Sequence, residues 1–580
     1  MVTRRRLLQQ LLSLSVSCRK MGHPYPQVTF PVYVRSPDGL LQARYPYGNP
    51  PPVIGLSAQQ YQQVSVAVSI PSSGFFNFPL GGSRAPLTTA FIPLKIIGPR
   101  PDSDGGIGAY ERHKLHPSTI PLFIPVYVEG GVAPFRYSVS SDMPGLTIGA
   151  DMPRDWRTNG LQGYGCLQHS NPSIGSYTTT ITVTDQVGNT DSVTYAHSVV
   201  DLNDRTKFGW MDIVNGNNAN TGTYASPYAG DLTKVLGTTS ASVTFQGQVW
   251  FKSAGSYVLV KHTDLTNSVR LDNTKRPVVF CALRNGSFAK VGAKFSFANT
   301  RFNSINGGNA TGYYNEIDWD GGNSSLFTSF QNVLFDDSQN RIYVFETNIT
   351  NPNVGSLGDD NATPIFFATG ATSSDSSYNH YVGIRRLIET GRPSASNSYG
   401  MFSMYGVKNF VVEDCHTISS NAETDYYFKD SCNTGSVRYC SSDMLNSGAY
   451  GAFAIGGQNQ NGGTTGSIEY ICCWGNNVSI TGRGIRMNAG AGQVDSAITA
   501  RCTFKGFWSA LNNSGAAGVY KSISDVIYTS NSPPASAGTN ALTSTGTELQ
   551  GNTAWFGSDG SLNAPYLAYL GIRGVEITDS

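Results

Sequence analysis

Alternation of apolar and polar residues with a period of two dominates this chain, and it falls into three zones. Between residues 1 and 118, runs such as Val64-Ser65-Val66-Ala67-Val68-Ser69-Ile70 are separated by dense proline, including Pro50-Pro51-Pro52. Proline removes a backbone donor and fixes φ, so this zone is predicted to be extended and loop-rich, without long helices or central strands. From 119 to 201 the alternation tightens. Ile124-Pro125-Val126-Tyr127-Val128 reads as a strand, Gly130-Gly131 as a turn, and Tyr177-Thr178-Thr179-Thr180-Ile181-Thr182-Val183-Thr184 alternates without a break. From 202 to 580, short apolar runs are separated by Asn-, Gly- and Ser-rich turns, and helix signals are almost absent. The predicted fold class is all-β.

The last zone carries a repeat. Val411-Val412-Glu413-Asp414-Cys415, Ile468-Glu469-Tyr470-Ile471-Cys472 and Ile498-Thr499-Ala500-Arg501-Cys502 each place a cysteine four residues after an aliphatic. The spacing from Cys472 to Cys502 is 30 residues, and from Cys415 to Cys472 it is 57, close to two such coils. Ser436-Val437-Arg438-Tyr439-Cys440 supplies the coil between, with its aliphatic out of step by one. Repeats of this length mean a solenoid, and Cys415, Cys440, Cys472 and Cys502 are predicted to stack inside it as small buried free thiols.

Two zones resemble known families. The motifs at 131–139, at Pro144-Gly145-Leu146-Thr147-Ile148 and at 175–188 resemble the bacterial immunoglobulin-like and cadherin-like domains of surface and virion proteins. That resemblance implies a β-sandwich over 119–201 that acts as a spacer or adhesion module. Asp185 in its last turn reads as an Asx-turn, with a calcium ligand as the alternative. The segment 215–228, running from Asn215-Gly216 to Ser226-Pro227-Tyr228, resembles the opening of right-handed parallel β-helix proteins. There a short helix, here Asp231-Leu232-Thr233-Lys234-Val235-Leu236, closes the end of the solenoid. A cap is needed because a first coil exposes both a sheet edge and an apolar interior.

Composition narrows the function. Charged residues are only 14% of the 580, and 40 Lys+Arg against 39 Asp+Glu leave a net charge of +1. A near-neutral chain has no electrostatic footprint for a phosphate backbone, so nucleic acid is not expected as a partner. No apolar stretch is long enough for a membrane span. Nine cysteines without a C-x-x-C pair predict neither a disulfide framework nor a zinc site. Arg4-Arg5-Arg6 followed by leucines reads as a short amphipathic helix with a basic start, since Gln9 and Gln10 interrupt the apolar run. No phosphate loop, dinucleotide fingerprint, nucleophile elbow or metalloprotease motif is present, and no metal or cofactor is expected.

Carboxylates are the remaining candidates for chemistry. In Asn315-Glu316-Ile317-Asp318-Trp319-Asp320-Gly321, strand alternation sends Ile317 and Trp319 to one face and Glu316, Asp318 and Asp320 to the other. Carboxylates two residues apart on a strand lie about 6.5–7 Å apart at Cα, compatible with glycoside hydrolysis of either stereochemistry. A solvated outer face is the plainer reading of the same residues. Glu413-Asp414 is a weaker pair, and His416 reads as a coil-corner residue. Trp474, Trp508, Tyr313 and Tyr314 are candidate glycan-stacking residues, with core packing as the alternative.

The plan is a Pro-rich N-terminal anchor (1–118), an immunoglobulin-like sandwich (119–201) and a right-handed parallel β-helix (202–580). It resembles bacteriophage tailspike and tail-fibre proteins. The resemblance implies a virion structural protein on the exterior of a tail or head, bound to other virion proteins through its N-terminus. It also implies a homotrimer that attaches to host surface polysaccharide. The alternatives are a polysaccharide depolymerase, hydrolase or lyase, using Glu316, Asp318 and Asp320, a head spike or decoration protein, and a bacterial surface adhesin.

Overall fold

The computed structural model describes residues 32–35, 41–44, 92–101, 111–133, 135–151 and 164–239. After that it describes the strands of successive coils with short flanking stretches, out to residue 544. The chain divides into two compact units, 1–80 and 81–580. In the first, Val32–Arg35 pairs antiparallel with Leu41–Arg44. The proline-rich remainder of the predicted anchor up to residue 91, with Arg4 to Arg6, lies outside the described residues.

Between 92 and 200 the second unit builds a small β module. Its longest element is the hairpin of Gly175–Thr184 and Thr190–Val200, paired antiparallel along ten residues. Arg136–Ser141 adds antiparallel on one side and Leu115–Pro117 parallel on the other. Leu122–Pro125, Tyr164–His169 and Thr147–Asp151 form a second, antiparallel sheet. Lys95–Gly98 pairs with Tyr127–Glu129. The alternation seen in sequence has its expected result, because Ile181, Val183, Val193 and Tyr195 meet Leu122, Ile124, Val126, Phe135 and Leu167 in one core. The outward positions are hydroxyls that bond across the strands, as Thr180 with Thr194 at 2.8 Å and Thr182 with Ser192 at 2.7 Å. Asp185 accepts four N–H donors, from Val132, Val187, Asn189 and the Asn189 side chain. Its carboxylate thereby forms the Asx-type turn that the sequence predicts.

From Phe208 onward the strands are parallel. One continuous ladder of twenty described strands runs from Phe208–Met211 to Leu542–Ser544, and a separate ladder of eight runs from Ser268–Arg270 to Ile485–Met487. In a typical coil the chain makes a strand on face one (Phe410–Glu413), turns a corner, and makes another on face two (His416–Ser420). It then makes a third on face three (Thr424–Lys429). Val412, Val437 and Tyr470 from face one, Met444 from face two and Tyr426, Phe428 and Phe453 from face three share one apolar interior. The architecture is a parallel β-solenoid. The helix Thr233–Leu236 lies at its start, where Leu232, Val235 and Leu236 pack into the same interior beside Met211 and Val249.

The cysteine stack differs from expectation by one residue. Cys415, Cys440 and Cys473 are buried free thiols. They immediately precede His416, Ser441 and Trp474, which are paired rung to rung. Thus Cys473 takes the place predicted for Cys472, because the corner residue, and not the end of the strand, points inward. Each thiol lies against the backbone carbonyl of the coil before it, as Cys440 Sγ does with Val412 O at 3.5 Å. Cys472 and Cys502 lie outside the described residues.

The module docks on face one. Tyr127 stacks on Tyr343 with centroids 5.4 Å apart, and its hydroxyl donates to Val344 O at 3.1 Å. Gly383 makes this possible, since a Cβ there would lie 2.5 Å from the Tyr127 ring. Around this contact Ile97, Leu115 and Ile120 meet Phe208, Trp210, Trp250, Val279, Tyr381 and Val411. Residues 92–101 and 111–118 therefore pack with the module and the solenoid.

Candidate functional site

The corner between faces one and two decides the fate of the predicted carboxylates. The expected strand across 315–320 is broken into Tyr313–Asn315 and Asp318–Asp320, with the break at 316–317. Ile317 and Trp319 enter the solenoid core as alternation required. Glu316 and Asp318 both stay outside it but meet different surroundings, so the spacing of a continuous strand does not apply to them.

Glu316 is 0% exposed, beneath the docked module. It accepts the Ala282 N–H at 3.2 Å and lies 3.9 Å from Arg112 Nε and 3.6 Å from Arg284 Nη2. Asp318 has a side chain 21% exposed and pairs with Lys290 Nζ at 2.8 Å, while also accepting the Asn348 N–H at 3.0 Å. The Asp320 side chain lies outside the described residues. Its backbone pairs with Ser296 and Thr350.

Two charge ladders climb the solenoid from here. The corner ladder uses Glu346, Arg386 and Asp414, three non-glycine residues with φ of 47°, 58° and 53°. Left-handed backbone at such residues costs free energy, so it persists where neighbours hold it in place. The holding contacts are ionic: Arg284 to Glu346 at 2.8 Å, Glu346 to Arg386 at 3.0 Å, and Arg386 to Asp414 at 3.2 Å. Burial would raise the Glu346 pKa, but Arg284 and Arg386 outweigh it and bring it down to about 2. The second ladder lies on face one, under the module. Arg385 Nη2 meets Glu413 at 3.0 Å, Glu413 meets Arg438 at 3.4 Å, and Arg438 meets Glu469 at 3.0 Å. Burial opposes charge on Arg438 most strongly, yet Glu469 and Glu413 more than offset it, and its pKa lies above the usual arginine value.

His416 joins the corner ladder. Its Nε2 meets Asp414 at 3.0 Å and its Nδ1 meets Ser441 Oγ at 2.7 Å. A serine, a histidine and a carboxylate in this order have the connectivity of an activated nucleophile. However, His416 and Ser441 are each 1% exposed and Asp414 is fully buried, so the chain of bonds ties two coils together at a place substrate does not reach. Hydrolysis of a glycoside needs a proton-donating acid in contact with solvent and substrate. Asp318 and Glu346 are bound to cations. Among the described residues, burial raises the pKa of Glu129, to about 8, and of Glu469, and both are buried in the module seam.

Of the predicted aromatics, Tyr313, Tyr314 and Trp474 lie on strands, with side chains outside the description. Register puts Tyr314 beside Tyr343, which is buried against the module, and Tyr313 beside Ile342. Trp474 pairs with Ser441 and Thr503. Trp508 lies outside the described residues. Reading the sequence singled out Glu413 and Asp414 only weakly and missed Arg385, Arg386, Arg438 and Glu469. A signal was present: Arg385, Glu413 and Arg438 each follow a run of strand residues at one rung position and alternate in sign.

No family model matches the chain, and no curated protein matches it. Among solved structures it is similar to a family 28 exopolygalacturonase of Yersinia enterocolitica, at 10% identity and a TM-score of 0.37. That match covers 73% of this chain and 86% of the other. It is also similar to a GH136 lacto-N-biosidase of Eubacterium ramulus, at 11% identity and a TM-score of 0.26, covering 56% and 68%. At these values the likeness carries no argument about activity.

Proposed function

We propose that this chain is a structural attachment protein of a virus particle, of the bacteriophage tailspike or tail-fibre kind, that holds a host surface polysaccharide without cleaving it. The reading also takes 119–201 as an immunoglobulin-like spacer, the solenoid as right-handed, the N-terminal zone as the attachment to other virion proteins, and the assembly as a homotrimer. The observation that carries the non-catalytic part is the position of Glu316, sealed under the module between Arg112 and Arg284, with Asp318 committed to Lys290. These acids brace a corner and are not poised to donate or abstract a proton at a substrate. A rigid solenoid suits attachment because it repeats similar surface positions along its length, and a repeating glycan gains avidity from many weak contacts.

The test is to incubate the purified protein with capsule or lipopolysaccharide and assay new reducing ends and unsaturated uronates, with sedimentation of the complex measured in parallel. Binding without product release, retained in Asp318→Ala, is expected. Release of oligosaccharides that is abolished in Asp318→Ala would put a depolymerase in place of this reading.

A further inference from the structure

The seam between module and solenoid is polar at its centre. Strand Tyr127–Glu129 crosses face one with its flanking carbonyls held by solenoid arginines. Arg385 Nη2 donates to Val126 O at 2.6 Å and Arg438 Nη1 to Val128 O at 2.8 Å, while Arg438 Nη2 also reaches Gly130 O. The Gly130 N–H returns a bond to Ser436 Oγ at 2.8 Å. In the middle of this seam Glu129 is 2% exposed, and its Oε1 has no hydrogen-bond partner.

The charges around Glu129 come from every element that packs on it. Its cross-strand neighbour is Lys95. That ammonium donates to Asn409 Oδ1 at 2.9 Å and lies 5.1 Å from the Tyr381 ring centroid. From the solenoid, Thr434, Glu469 and Arg438 act on Glu129. Arg438 is already shared between Glu413, Glu469 and two carbonyls, and Arg385 is held by Glu413. Glu129 is thus the carboxyl of the seam with no arginine given over to it, and Glu469 stands nearby as a like charge.

We propose that Glu129 is a proton-operated latch: protonated, it lets the module seat on face one, and ionised, it loosens that seat. Burial is the largest influence on this carboxyl, and with Glu469 it prevails over Lys95 and Thr434 to push the pKa up to about 8. In an opened seam the group returns to an ordinary value of about 4.3. Between those two values the seated form binds a proton that the open form has released. The seated-to-open ratio therefore falls about tenfold for each pH unit in that window, and this group adds no further change above or below it.

Cys166 reports on the seam, because it is buried with Phe123 of the module and Phe345 of the solenoid and lies 3.9 Å from Arg385 Nη1. Cys415, Cys440 and Cys473, inside the solenoid, serve as controls. The full chain and its Glu129→Gln variant are labelled with a maleimide from pH 5 to 9, and each site is quantified by mass spectrometry. Taking the rate of wild type over variant cancels the thiol's own pH dependence. This ratio at Cys166 is expected to climb up to about tenfold per pH unit and to level off near pH 8, while the ratio at the three controls stays flat. Glu129→Ala, which also lacks the titrating group, gives the same reference should the amide fold poorly. A flat ratio at Cys166 would overturn the latch, as would an equal rise at all four thiols. Failure of Cys166 to label in either protein up to pH 9 would overturn it too.

Discussion

Removing the negative charge of Glu413 tests whether the face-one ladder holds the molecule together. Arg385, Glu413, Arg438 and Glu469 are all essentially buried and sum to zero charge. In Glu413→Leu the same space holds two guanidiniums against one carboxylate. Arg385 loses two N–H contacts to Glu413 Oε2 at 3.0–3.1 Å, and Arg438 loses one to Oε1 at 3.4 Å. Breaking a buried ion pair by deleting one partner costs about 3–5 kcal/mol, because the desolvation of the other is no longer offset. Replacing both partners is different. In Glu413→Leu with Arg385→Met, Arg438 and Glu469 still balance, and the double variant is expected to recover most of the loss, short of what the Val126 carbonyl forfeits. Urea unfolding followed by tryptophan fluorescence measures both, since Trp210 and Trp250 stack at 5.4 Å in the covered seam. A single variant that loses less than about 1 kcal/mol, or a double variant no better than the single, would refute the electrostatic account.

Three further outcomes follow from the same geometry. Cys415, Cys440 and Cys473 are expected to resist a thiol reagent in the native protein and to react together on unfolding; rapid native labelling of all three would contradict a sealed interior. Glu346 is ionised in the fold with a pKa near 2 against an ordinary value near 4.3, so its contribution is full above that value. It is lost as pH falls towards 2, by up to about 3 kcal/mol, and an acid titration of Glu346→Gln should lack that part of the slope. Asp185→Ala strands several buried or half-buried N–H groups and should cost about 1–3 kcal/mol, with the melting temperature of the parent protein unmoved by a calcium chelator.

Alternation and repeat spacing were enough to read the all-β class, the solenoid and its inward column of cysteines. Each depends on local periodicity: side chains on a strand point to alternate faces, and a coil of nearly constant length returns similar residues to one column. The shift from Cys472 to Cys473 marks the limit of that reasoning. A corner residue in left-handed backbone changes which neighbour points inward, and nothing in the local pattern around Cys472-Cys473 says where the corner falls. The carboxylates show the larger gap. Glu316 reads in sequence as an outward acid on a strand; it does lie outside the solenoid core, at the break between two strands. What removes it from solvent is the module folded over face one, more than a hundred residues earlier in the chain, which brings Arg112 against it. Arg385, Glu413 and Arg438 likewise look like isolated charges until parallel pairing stacks them at successive rungs, where Glu469 of the next coil reaches Arg438. Their meaning as a ladder, and that of Glu129 beside them, arises only where module and solenoid exclude water together, because burial is what turns a surface charge into a structural one.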